Sequence, residues 1–65
     1  MNIQLNGRPV LTAARTLSEL LREQQIDAAC VATAVNGNFV PKAQYDSQQL
    51  TEGCQLEVLS PMQGG

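Results

Sequence analysis

The stretch MNIQLNGRPVLTAARTLSELLREQQ, residues 1–25, decides the fold. Met1, Ile3 and Leu5 alternate with Asn2, Gln4 and Asn6, the period-2 pattern of a strand with one buried face. Asn6-Gly7 follows, and this dipeptide suits the two positive-φ positions of a type I′ hairpin turn. A second strand is therefore expected to run back from Arg8 to about Ala13. Pro9 offers no N–H to a ladder, so that strand belongs at a sheet edge. Thr16 and Glu19 have the spacing of a capping box, each side chain reaching the other residue's backbone N–H. Behind them Leu17, Leu20 and Leu21 fall on one face of a helix of about ten residues, which is too short to persist unless its leucines pack on the strands.

Downstream of the helix, Cys30 to Val35 reads as a third strand, with Val31, Thr33 and Val35 on one face and small residues on the other. Small or apolar residues on both faces suit an interior strand. Asn36-Gly37-Asn38 is a second turn, and Phe39-Val40 is a short strand stopped by Pro41. Lys42 to Gln49 is polar and irregular, with Tyr45 and Leu50 facing inward. After a turn at Thr51-Glu52-Gly53, Cys54 to Leu59 forms the last strand, with Leu56 and Val58 inward. The expected core is Ile3, Leu5, Leu17, Leu20, Leu21, Val31, Val35, Leu56 and Val58. Hairpin, helix, then returning strands is the order of an α+β, β-grasp domain with a mixed sheet of about five strands and one main helix across it. Residues 1–59 make up that domain. Residues 60–65 show no periodicity and are expected to form a flexible diglycine tail.

The composition narrows the function. The chain has 65 residues, a formal net charge of −2, 43% hydrophobic and 15% charged residues, which is a globular composition with room for one domain. Its four cations (Arg8, Arg15, Arg22, Lys42) are scattered, so no nucleic-acid partner is expected. There is no histidine, which removes the commonest general base and zinc ligand. No apolar run approaches the length of a membrane span, and no secretory pattern opens the chain. A cytoplasmic location with no membrane partner is therefore expected, with both thiols reduced. Cys30 and Cys54 have neither metal-pair nor redox spacing, so each reads as a small apolar residue in or beside a strand.

Chemistry is left to the end of the chain. With Gly at about 7% of residues, a terminal pair arises by chance in roughly 0.5% of chains. Lacking Cβ atoms, Gly64 and Gly65 make a thin arm that a partner's cleft can grip along the backbone, presenting the Gly65 carboxylate to a buried reaction centre. A carboxylate is a poor acyl donor until adenylation supplies a good leaving group. A carrier acted on in this way needs no acid, base or metal of its own.

Met1-x-Ile3 with Asn6-Gly7, Thr16 leading to Leu20-Leu21, Val31-Ala-Thr-Ala-Val-Asn36, Val40-Pro41-Lys42, Tyr45, Glu52-Gly53 and terminal Gly64-Gly65 together resemble the ThiS family, the sulfur carriers of thiamine biosynthesis. The likeness covers essentially the whole chain in register. It departs from the family's habit at Glu52 and Cys54, where Asp is common on both sides of the glycine, and at Lys42 and Tyr45, where Arg and Trp are common. The resemblance implies a ubiquitin-like β-grasp fold and a non-enzymatic monomer that binds no cofactor or metal. It implies that Gly65 is adenylated by a ubiquitin-activating-like enzyme (ThiF) that uses ATP, with Gly64 recognised as part of the arm. Gly65 then becomes a thiocarboxylate whose sulfur comes through a cysteine desulfurase and passes to thiazole synthase (ThiG). The same fold and tail also fit the small subunit of molybdopterin synthase or a ubiquitin-like protein modifier.

Overall fold

In the computed structural model, which describes residues 1–60, the two Asn-Gly dipeptides turn the chain as their chemistry requires. Asn6 and Gly7 have φ of 52° and 82°, and Asn36 and Gly37 have 52° and 84°, the left-handed pair of a type I′ turn. The first turn joins β1 (Asn2–Leu5) to β2 (Arg8–Leu11), and the second joins β3 (Ala32–Val35) to β4 (Asn38–Val40). Helix α1 (Leu17–Glu23) lies between the hairpins in sequence, and β5 (Gln55–Leu59) comes last. The sheet order is β2-β1-β5-β3-β4, with β5 parallel to β1 and antiparallel to β3. This is the ubiquitin-like β-grasp arrangement, with the last strand inserted at the centre between the two hairpins. Pro9 sits on edge strand β2, as its missing N–H demands.

The capping box is formed in full. Thr16 Oγ1 accepts from Glu19 N at 3.2 Å, while Glu19 Oε1 accepts from Thr16 N at 3.3 Å and Arg15 N at 2.8 Å. These backbone donors hold the exposed Glu19 carboxyl below its usual pKa. The helix has seven residues, shorter than the expected ten, because Gln25 adopts φ 60° and closes it. Ile26 N donates to Leu21 O at 2.8 Å and Gln25 N to Arg22 O at 3.0 Å, the two bonds of a Schellman stop.

Leu17, Leu20 and Leu21 are fully buried against Ile3 and Leu56, so the helix packs on the face that sequence periodicity assigns. Val31 and Val35 join them, and so do Ala14, Val40, Tyr45, Leu50 and Cys54. Leu5 and Val58 are only partly buried. Tyr45 closes the far side of the core, its hydroxyl donating to Val31 O at 3.3 Å.

Strand boundaries differ from expectation as well, and β4 begins one residue early, at Asn38. β3 begins at Ala32 and not Cys30, because Asp27 caps a 3₁₀ turn over Ala28–Cys30 through its Oδ1, which accepts from Ala29 N at 3.0 Å. β2 stops at Leu11 because the Thr12 side chain turns back to accept from Ala14 N and to bond the Glu23 carboxyl. β5 begins at Gln55, since Cys54 N still closes the preceding turn onto Thr51 O at 3.0 Å. The expected arm falls, beyond Ser60, outside the described residues.

Candidate functional site

Gly64 and Gly65 also lie outside the described residues, so the geometry available is that of the strand feeding them. β5 runs up the middle of the sheet and is held at both ends by the asparagines of the two turns. At its start, Asn36 N donates to Gln55 O at 2.7 Å and Asn36 Oδ1 accepts from Gln55 N at 2.8 Å. Towards its end, Asn6 N donates to Leu56 O at 2.9 Å, Asn6 Oδ1 accepts from Val58 N at 2.8 Å, and Asn6 Nδ2 donates to Val58 O at 3.2 Å. The sequence marks both asparagines as turn formers. Their bonds to β5 cannot be read locally, because Val58 lies 52 residues from Asn6 along the chain.

The sheet face opposite the helix is lined differently. Strand alternation places Val40 in the core and therefore Phe39 on the open side, where its register partner is Ala34. Ala34 in turn pairs with Glu57, and Ala32 with Leu59. The result is a low apolar surface with Phe39 69% and Leu59 67% exposed, and Leu59 stands next to the point where the chain leaves the sheet. Beside it a hollow of about 520 Å³ is lined by Ala29, Cys30, Phe39, Pro41, Lys42 and Tyr45, among others.

Among the described residues no cluster of His, Cys, Asp and Glu could hold a metal ion. Cys54 is buried beside the last strand, as expected, whereas Cys30 is exposed on the 3₁₀ turn, which corrects the strand reading. Cys30 Sγ donates to Asp27 Oδ2 at 3.5 Å, which stabilises the thiol form, and the Asp27 charge adds to this effect. A small desolvation adds to it, and Lys42, which the fold brings close, only partly opposes the rise. A thiol held protonated is a poor nucleophile. Among the described residues no helix is long and apolar enough to cross a membrane.

A family model described as the ThiS family matches residues 3–65, including the terminal diglycine. The chain is similar to the crystal structure of the thiamine biosynthesis protein ThiS from Geobacter metallireducens, with a TM-score of 0.86, 28% identity and 100% of both chains covered. It is also similar to the NMR solution structure of a thiamine biosynthesis protein from the same organism, with a TM-score of 0.80, 28% identity, and 100% of this chain and 88% of that one covered. No curated protein matches it.

Proposed function

The chain belongs to the ThiS family, and from that premise we propose that it is the sulfur carrier for thiazole formation in thiamine biosynthesis. The observation that carries this reading is the extent of the family match, which continues through the last residue and so takes in Gly64 and Gly65. The crystal and NMR structures it is similar to are both of a thiamine biosynthesis protein from one organism, which favours the thiamine product over molybdopterin.

In this reading the Gly65 carboxylate attacks the α-phosphorus of ATP bound by a ThiF-type enzyme. Pyrophosphate leaves, and the carboxylate becomes an acyl-adenylate. A cysteine persulfide charged by a cysteine desulfurase then displaces AMP at the carbonyl to give an acyl disulfide, and a second thiol of the partner attacks the donor cysteine's sulfur, leaving a thiocarboxylate on Gly65 and a disulfide on the partner. That sulfur passes to thiazole synthase (ThiG). The carrier contributes addressability and reach and acts as a protein substrate in the cytoplasm, while its partners bind the nucleotide and supply the catalytic groups. Gly64 keeps the arm slim enough for a channel that would reject a Cβ.

The test is ATP–pyrophosphate exchange with a ThiF-type enzyme, with mass spectrometry to detect the thiocarboxylate. Deleting Gly65 leaves the same terminal group but shortens the reach by about 3.3–3.6 Å. Since a misplacement of about 1 Å can cost on the order of 100-fold in rate, exchange should nearly vanish while circular dichroism stays unchanged. Exchange at the wild-type rate after the deletion would show that Gly65 is not the reacting residue.

A further inference from the structure

β1 is too short to accompany β5 to its end. The two strands pair only at Gln4↔Gln55 and Leu5↔Leu56, after which β1 turns away at Asn6 while β5 continues to Leu59. On the vacated side the N–H and C=O of Val58 would have no ladder partner, and an unpaired backbone pair at the end of a strand invites fraying. The Asn6 side chain takes the place of the missing strand residue, accepting from Val58 N and donating to Val58 O. Its left-handed backbone, φ 52°, lets a residue in the turn present its amide to β5 while its main-chain N–H bonds Leu56 O. Asn36 differs at the start of the strand, where its side chain only accepts, from Gln55 N.

Val58 stands two residues before Ser60, and residues 60–65 extend at most about 20 Å. The reach of Gly65 is therefore measured from the point where β5 lets go of the sheet. β3 still pairs with β5 out to Leu59, so losing the Asn6 amide loosens one side of the strand without releasing it, and a shift of about 1 Å at the start of the arm already matches the tolerance of a reacting pair. We propose that Asn6 is a positioning residue for the reaction at the carboxyl terminus: its amide holds β5 at Val58 on the side that β1 vacates, while β3 holds the other side out to Leu59, so that the arm leaves the body from a fixed point. The role rests on the carrier reading, since without a reacting terminus a fixed launch point would have no use.

Asn6→Gly is the direct test, because glycine adopts the left-handed turn freely and removes only the amide. Asn6→Asp is the second variant. It keeps an acceptor for Val58 N but sets an oxygen against Val58 O, so the donor is lost. Asn36→Gly removes the corresponding amide at the other end and serves as the control. Hydrogen exchange should be about tenfold faster at Val58 in Asn6→Gly, as expected for the loss of two hydrogen bonds, with the Leu20 and Leu21 amides nearly unchanged. In ATP–pyrophosphate exchange with a ThiF-type enzyme, both Asn6 variants should lose about tenfold or more in kcat with KM for the carrier held within about twofold. Asn36→Gly should keep wild-type kcat. Unchanged Val58 exchange in Asn6→Gly overturns the clamp, and unchanged kcat alongside faster Val58 exchange overturns the positioning role. An equal kcat loss in Asn36→Gly overturns it as well. If wild type itself gives no exchange, the carrier reading fails and the positioning role with it, while the amide-exchange result still decides the clamp.

Discussion

The two faces of the sheet are built from the same alternating strands, yet they are finished differently. On the helix side Ile3, Leu17, Leu20, Leu21 and Leu56 are fully buried. On the open side Phe39, Leu59 and, on the far edge strand, Leu11 are 69%, 67% and 77% exposed. A chain of 65 residues has one helix to spend, and covering one face leaves the other bare among the described residues. The covered face therefore carries the stability, and the open face is free to differ without unfolding the domain. The end of the central strand, where Leu59 stands, belongs to the open face.

The largest test of that division is Leu20→Ala. Truncating a fully buried leucine costs about 2–5 kcal/mol, against a total of roughly 3–10 kcal/mol for a chain of this size, so the denaturant midpoint should collapse. A midpoint that barely moves would mean that the covered face is not the core. Thr33→Val probes a flaw in the same face. Thr33 is 2% exposed, and its hydroxyl finds no hydrogen-bond partner among the described residues. Valine has nearly the same shape without the orphaned group, so stability should rise by about 1 kcal/mol, read in urea melts. A loss would show that the hydroxyl is satisfied in solution.

Acid titration addresses the helix that does the covering. The folded pKa of Glu19 is below the usual 4.5. Its contribution is therefore fully present above the unfolded pKa and is lost as pH falls through the lower folded value. Far-ultraviolet circular dichroism should show helix stability dropping below about pH 4.5 in wild type. Glu19→Gln should flatten that part of the profile, and an identical profile in the variant would remove the capping box from the account. The smallest expected effect is Phe39→Ser, which should change stability by less than about 0.5 kcal/mol because the ring touches little. A loss of several kcal/mol would show that the open face is covered in solution and would end the contrast.

Much of this was legible in the residues. The two Asn-Gly turns, the Thr16–Glu19 box, the edge position of Pro9 and the leucine face all rest on interactions within a few residues, and all appear where local chemistry places them. Errors gathered where a side chain overrides the pattern. Asp27 diverts Ala28–Cys30 into a 3₁₀ turn although the sequence alternates like a strand, and Gln25 ends the helix early without the glycine that usually marks such a stop. Leu5 and Val58 satisfy the inward parity, but parity cannot say how completely the packing covers each of them. Of the candidate site, the diglycine is an expectation from residue type that lies outside the described residues, while the strand that precedes it looked like any other.

By itself the sequence determined which segments become strands and helix and which side of each is apolar. These are properties of spacing and residue type over short distances. Only the tertiary structure decided that the last strand lies at the centre of the sheet, parallel to the first, and that Asn6 grips it at Val58 from 52 residues away. The physical reason is that backbone donors and acceptors are nearly the same at every position. Which of them meet is settled by how the buried faces pack, and that sum runs over the whole chain.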